Sequence, residues 1–343
     1  MEKIDFILPW LDDGDPQWRA EKKRWEGEPL CGSSSAVDAN GDCRYRGDSE
    51  MLRFWFRSVE AFAPWVNRIH FVTCGQKPEW LNENHPKLNL VNHSDFIPSK
   101  YLPTFNSNAI EMNFHRISGL SERFVYFNDD MFLLRPVDVT FFFQSGNPVI
   151  VNNLRYPVSV GFNNWSRHVF NDYCLVNKSF DIGKSIWDNR RKWFNIPVLG
   201  FKRARKNFVC FLANRTLPVG TFGHVANAHL KSTFKEIWER WPDEMDVTCM
   251  HKFRADEQVN QWLATAWNLA KGTFCPAHEN GRSRIINISP MNIKAIETAI
   301  RQQAYPLLCV NDSEINTEPE RSSKMINDAF ESILPKKSAF EID

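Results

Sequence analysis

Three things are scarce in these 343 residues, and each scarcity removes a class of function. The first is charge imbalance: 42 Lys and Arg stand against 41 Asp and Glu, a formal net charge of +1. A general nucleic-acid binder carries a basic excess, so no nucleic-acid partner is expected and only local charge patches are informative. The second is cysteine pattern. Cys31, Cys43, Cys74, Cys174, Cys210, Cys249, Cys275 and Cys309 are scattered without a single Cys-x-x-Cys, which excludes a zinc knuckle and fits a reducing compartment better than a disulfide scaffold. The third is long apolar sequence. No run approaches the roughly 18 residues of a membrane span, and the start Met1-Glu2-Lys3-Ile4-Asp5 is too short and too acidic for a signal peptide. The expectation is a cytoplasmic protein whose contact with the inner face of the plasma membrane, if any, is peripheral.

What is present is a core. Hydrophobic residues make up 43% and charged residues 24%, the balance of a globular α/β chain. Ile4 to Trp10 reads as a first strand feeding the acidic turn Asp12-Asp13-Gly14-Asp15-Pro16. Residues 21–46 read as a mobile surface loop. Asp48 then caps an amphipathic helix carrying Met51, Leu52, Trp55, Val59 and Phe62. Strands are expected at Ile69–Thr73, Leu88–Val91, Phe124–Phe127 and Leu307–Val310, and helices after Ser107, around Phe234–Trp241, over Asp256–Lys271, around Ile293–Ile300 and around Ile326–Phe330. Alternating strands and helices predict a Rossmann-like, mostly parallel sheet flanked by helices. A single catalytic α/β domain is expected over 1–343, with a basic-aromatic helical insertion at 145–215.

The strand Phe124–Phe127 runs into Asn128-Asp129-Asp130, and Leu307–Val310 into Asn311-Asp312. Ligands of open α/β sheets bind at the strands' carboxyl ends, and acidic oxygens there suit a hard divalent ion shared with phosphates. Taken alone, such a pair after a strand is a turn more often than a metal site; two make a shared acidic edge more credible. Glu111 and His115, four apart, can offer two ligands to one ion, although a surface Glu-His pair is the commoner meaning of that spacing. His224 lies in a loop context where a general base can reach a substrate. Arg254, in His251-Lys252-Phe253-Arg254 ahead of a helix, is positioned to clamp a phosphate or to be one member of a surface basic cluster. Lys184, Arg190, Arg191, Lys192, Lys202, Arg203, Arg205 and Lys206 interleave with Trp193, Phe194 and Phe201, fitting a solvated helix face and an anionic membrane or lipid-linked acceptor about equally.

With those residues assembled, the chain resembles the Stealth family of sugar-phosphate transferases, which includes bacterial capsular polysaccharide phosphotransferases and the catalytic subunit of N-acetylglucosamine-1-phosphotransferase. The resemblance rests on Ile4 to Leu11 with Asp15-Pro16; Arg44 to Arg53 with Arg57-Ser58, Pro103 to Ser107, Ala109-Ile110-Glu111, His115-Arg116 and Asn128-Asp129-Asp130; His224, Trp241 to Glu244 and His251 to Arg254; and Val310-Asn311-Asp312 with Pro335 to Glu341. It implies transfer of a hexose 1-phosphate from a UDP-sugar to a hydroxyl of a glycan acceptor, with UMP leaving, in capsule or surface polysaccharide synthesis. It also implies that Glu111, Asp130, His224 and Arg254 fall on active-site positions. Asp15, Asp48, Arg53, Asn128, His251 and Asp312 are expected to bind donor or phosphate, and Asp130 and Glu111 to hold Mg²⁺ or Mn²⁺. Two departures stand out: Asp48-Ser49-Glu50-Met51 where relatives often read Asp-Asn-Asp/Glu-Glu, and Asp12-Asp13-Gly14 in the first block. The alternatives are a metal-dependent glycosyltransferase releasing UDP and a non-catalytic glycan-binding protein.

Overall fold

The structure, a computed structural model, describes residues 3–26, 49–152, 164–218, 225–278, 281–311 and 318–342. Its centre is a five-stranded sheet of β1 (Ile4–Pro9), β2 (Arg68–Thr73), β3 (Leu88–Asn92), β4 (Arg123–Tyr126) and, introduced below, β8. The spatial order is β3-β2-β1-β4-β8; the first four are parallel, and β8 runs antiparallel to β4. The near-continuous apolar runs follow, because both faces are covered. Phe6, Leu8, Val125 and Phe127 enter one core; Ile7, Phe124 and Tyr126 enter the other.

β5 (Met131–Leu133) leaves the sheet to join a second one, while β6 (Phe143–Gln144) and β7 (Asn147–Ile150) form a hairpin. β8 (Asn227–Leu230) follows, then β9 (Cys275–Pro276) beside β7, and finally β10 (Ser283–Asn287) and β11 (Leu307–Asn311). In the second sheet β11 lies parallel to β10 and antiparallel to β5. The stretch between Asn164 and Asn214 holds five helices, of which Asn164–Ser179 and Phe201–Asn214 are the longest.

The expected elements are present, with five differences. Residues 21–26 belong to a helix, Pro16–Glu26, rather than a loop, because Asp15 and Pro16 start it; 27–46 and the expected cap Asp48 lie outside the described residues. The helix Ser107–Met112 is capped by Asn106, whose side chain accepts from the Asn108 amide, not by Ser107. That helix stops at Asn113 and tightens into a 3₁₀ turn, Phe114–Arg116, so Glu111 and His115 do not share a continuous helical face. Pro242 ends the helix Lys231–Arg240 as expected but also opens another, Pro242–Met250, where the missing amide hydrogen is harmless. The helix expected from Asp256 begins only at Trp262 and ends at Gly272, which takes the left-handed conformation.

The helix Ser49–Phe62 is fastened by residues distant in sequence. Arg57 donates from Nε and Nη2 to the two oxygens of Glu341, at 2.8 and 3.0 Å, and from Nη1 to Glu331 at 2.9 Å and to the Leu334 carbonyl at 3.0 Å. Phe340 packs against Phe56 at 5.2 Å between ring centroids. This bidentate pair, backed by apolar burial, is the geometry in which an ion pair is strongest.

Candidate active site

From β1 the chain builds β2 and β3 on one side and then returns to place β4 on the other. The connections therefore part at the carboxyl ends of β1 and β4 and leave a crevice, where open α/β sheets bind ligands. Asp15, on the loop after β1, uses one carboxylate oxygen to accept from the Gln17 and Trp18 amides, at 2.7 and 3.3 Å, while Gln76 donates to the other at 3.0 Å. Gln76 chiefly, with those amides, holds its pKa below the usual value. Asp15 thus caps the helix Pro16–Glu26 at the crevice rim.

Beyond β4 the arrangement is denser. The Tyr126 hydroxyl donates to Glu111 Oε1 at 3.0 Å, and the Gln261 amide donates to Glu111 Oε2 at 3.2 Å. Burial pushes the Tyr126 hydroxyl well above its ordinary pKa; the Glu111 charge pushes the same way, Arg254 opposes, and Asp130 adds to the rise. Glu111, Arg254 and Asp130, far apart in sequence, thus act on one buried hydroxyl. Arg254 is held by Ser107, whose hydroxyl oxygen accepts from Nη2 at 2.7 Å and Nε at 3.2 Å. Asp130 is fixed through its backbone carbonyl, which accepts from the Val310 amide at 2.8 Å, and its carboxylate accepts from Cys309 Sγ at 3.4 Å. The loop after β4 therefore meets β11 at Asp130, while Asp312 lies outside the described residues.

A polar lattice supports these groups. Asn106 Nδ2 donates to the carbonyls of Thr248 and His251, and Asn108 Nδ2 donates to Gln258 Oε1 at 2.8 Å. His229 meets Gln261 Oε1 at 2.7 Å. Asp172, fully buried, accepts from the Asn260 amide at 3.1 Å. Burial raises its pKa well above the ordinary value, against that hydrogen bond and with help from the Glu111 charge. Tyr126, Gln261 and Asp172 are not among the residues expected at the site, and Ser107 is expected only as a helix cap and as part of the Pro103 to Ser107 block. Only Tyr126 left a signal, as the one hydroxyl in an apolar strand.

Arg53, His251 and Asn128 have partners of their own, and three expected residues lie outside the described residues. Arg53 pairs with Glu50 at 3.1 Å and Glu341 at 3.5 Å and lies over the Trp80 ring. His251 Nε2 pairs with Glu257 at 2.8 Å. Asn128 supports the turn, its carbonyl accepting from the Met131 amide at 3.1 Å. His115 packs against Phe234 and Trp238, and burial pushes its pKa down to about 3. It faces aromatic rings rather than joining Glu111 as an ion ligand. His224, Asp48 and Asp312 lie outside the described residues.

Among the described residues no three His, Cys, Asp or Glu side chains converge to hold a metal ion. Mg²⁺ needs fewer, since it keeps waters and binds one or two carboxylates plus substrate phosphates. Asp130, half-buried at the crevice, fits that demand; Glu111, whose two oxygens accept from Tyr126 and Gln261, is held in one orientation. Beside the cluster, a cavity of about 340 Å³ is lined by Asn227, Trp262, Thr265, Arg282 and Arg284. Asn227 is the β-ladder partner of Tyr126, and Trp262 follows Gln261, so the cavity adjoins the same edge.

Comparison with known proteins gives the family. The model of Stealth protein conserved region 2 matches residues 44–150, and that of conserved region 3 matches 223–271. The capsular polysaccharide phosphotransferase WcwK of Streptococcus pneumoniae is 36% identical over 99% of both chains. The receptor polysaccharide phosphotransferase WefC of Streptococcus gordonii is 34% identical over the whole of both. The galactosyltransferase LgtC, with a TM-score of 0.35 and 11% identity over 94% of this chain and 95% of its own, adds nothing to the fold read from the sheet itself. The two matched regions carry Glu111, Asp130 and Arg254, the residues gathered around Tyr126, and the chain belongs to the Stealth family of phosphotransferases.

Proposed function

We propose that this enzyme transfers a hexose 1-phosphate, or an N-acetylhexosamine 1-phosphate, from a UDP-sugar to a hydroxyl of a glycan acceptor in capsule or surface polysaccharide synthesis. The observation that carries the reading is the set of Glu111, bonded by the Tyr126 hydroxyl at the carboxyl end of β4, Asp130 in the loop that follows, and Arg254 held by Ser107, in a chain collinear with polysaccharide phosphotransferases. Phosphoryl transfer needs little covalent help from a protein; it needs positioning and charge placed around the moving phosphorus.

On this reading the acceptor oxygen attacks the phosphorus that bears the sugar. The new oxygen–phosphorus bond forms as the bond to the bridging oxygen of the diphosphate breaks, and UMP departs with that oxygen. The sugar's anomeric bond is untouched. Arg254, oriented by Ser107, faces the charge on the phosphoryl oxygens. Asp130, with Glu111, would hold Mg²⁺ or Mn²⁺, which when bound neutralises the same oxygens. Glu111 is kept in place by Tyr126 and Gln261. His224 is the proposed base for the acceptor's proton, a role that suits a near-neutral imidazole. Asp15, Asp48, Asn128 and Asp312 belong on this reading to the donor side, and residues 145–215 to an insertion on the acceptor side. A lipid-linked acceptor would bring that insertion to the inner face of the membrane.

The deciding experiment incubates the protein with UDP-sugars, Mg²⁺ or Mn²⁺ and a capsular-type acceptor and identifies the nucleotide released. UMP with a phosphodiester product is expected. UDP would mean cleavage of the anomeric bond and a glycosyltransferase instead.

A further inference from the structure

Among the described residues, eight of the twelve exposed large hydrophobic side chains lie between Phe170 and Leu212. Their densest group is on the helix Phe201–Asn214. Ala204, Asn207, Cys210 and Phe211 turn inward, whereas Phe201 and Leu212 are 65% and 61% exposed and Phe208 and Val209 are exposed beside them. Phe201, Arg205, Phe208 and Leu212 follow one another at helical spacing along a single outer stripe. Nearby, Trp187 and Ile196 are also exposed, and the Arg190 guanidinium lies over the Trp187 ring at 5.5 Å.

Charge is equally local. The helix carries Lys202, Arg203, Arg205 and Lys206 and no acid, and Arg190, Arg191 and Lys192 precede it, in a chain whose formal net charge is only +1. Exposed apolar residues interleaved with cations suit one solvent poorly and another well. Protein interfaces are depleted of lysine, yet Lys202 and Lys206 accompany the apolar stripe on this helix. At a bilayer surface the rings and Leu212 enter the acyl boundary while Arg and Lys stems extend their cations to anionic headgroups.

We propose that the helix Phe201–Asn214, with Trp187 and Ile196, docks on an anionic bilayer surface and holds the enzyme at the membrane. This stands apart from the reaction proposed above, because vesicle binding and nucleotide release are read separately. The test is flotation of the full chain with vesicles of phosphatidylcholine alone and of phosphatidylcholine mixed with phosphatidylglycerol. Binding is expected to the anionic vesicles only, weakening as salt rises. Phe201→Ser with Leu212→Ser should abolish it. Lys202→Gln with Arg205→Gln should lower the partition coefficient roughly 30-fold. Val247→Ser, at an exposed apolar site elsewhere, should leave it unchanged. Because the altered residues are exposed, melting temperatures of all variants should match the parent, which separates lost docking from lost folding. Failure of the parent to float with anionic vesicles overturns the proposal, as does undiminished binding by the Phe201/Leu212 variant. A concentration-dependent dimer that this variant abolishes, without vesicle binding by the parent, would assign the face to a protein partner instead.

Discussion

Two buried polar clusters lie toward opposite ends of the central sheet, and they are built differently. Toward the amino ends of the strands, Asp5 accepts from Asn67 at 2.6 Å and from the Ser121 amide at 2.7 Å, and pairs with His70 at 3.1 Å; His70 in turn meets Asn89 at 2.9 Å. Asp5 and His70 have no exposed surface. At the carboxyl ends, Glu111 and Tyr126 are also enclosed, but Asp130, Arg254 and Asn128 lie half-buried along the rim. A closed cluster of matched donors and acceptors stabilises strands; one with charges at an open lip has capacity left for a ligand. The contrast predicts that changes at the first cluster move stability and changes at the second move activity.

The largest effect expected is at the lip. Arg254→Ala should lower the rate of nucleotide release by roughly 10²–10³-fold, as removal of a transition-state donor does elsewhere, with the melting temperature nearly unchanged. A large loss of stability instead would make Arg254 a structural residue. Asp5→Ala should do the reverse, costing about 3 kcal/mol by leaving buried donors without an acceptor, with kcat in the remaining folded protein unaltered. Denaturant unfolding beside steady-state kinetics separates the two. Ser107→Ala, which frees Arg254 to wander, should cost about tenfold in kcat/KM. A smaller effect still is expected of Arg53→Gln: a loss of at most about 1 kcal/mol from its partly exposed pairs. A large rise in the donor's KM would return Arg53 to the donor site.

Acid should distinguish the clusters too. Burial tends to raise the Asp5 pKa, but the hydrogen bonds from His70, Asn67 and Ser121 outweigh it and bring it below the ordinary 3.8. Its contribution is therefore present above that value and disappears as pH falls through the lower folded one. Burial lowers His229 to about 4, and burial with the Arg116 charge lowers His115 to about 3, from an ordinary 6.5. Both stay neutral in the fold while the unfolded chain takes up protons, so the stability they contribute is lost progressively from pH 6.5 downward. Melting temperature against pH should fall across that range, less steeply in His229→Phe; an unchanged slope would show that His229 is not kept neutral by the fold.

Legibility in the sequence followed the range of the interaction. The parallel strands were readable because burial on both faces leaves unbroken apolar runs, and Asn128-Asp129-Asp130 was readable because it interrupts one. The start of the helix at Trp262 was not, since residues 256–261 are ordered by tertiary contacts such as Asn171 Nδ2 to the carbonyls of Asp256 and Gln258, each at 2.8 Å. Glu111 and His115 misled for a similar reason: spacing shows a shared face only while the helix continues, and Asn113 ends it, its side chain donating to the Ala109 carbonyl at 2.8 Å. The Ser107–Arg254 contact spans 147 positions and leaves no local trace.

The clasp between Arg57 and Glu341 has a consequence in time. Its partners are 284 positions apart, so at 5–20 residues per second a ribosome needs roughly 15–60 s to deliver the second after the first. Throughout that interval the helix Ser49–Phe62 has emerged with Arg57 unmatched and Phe56 without the ring of Phe340. The nascent chain must therefore wait, sheltered or exposed, for its own distant carboxylate before this side of the molecule can close.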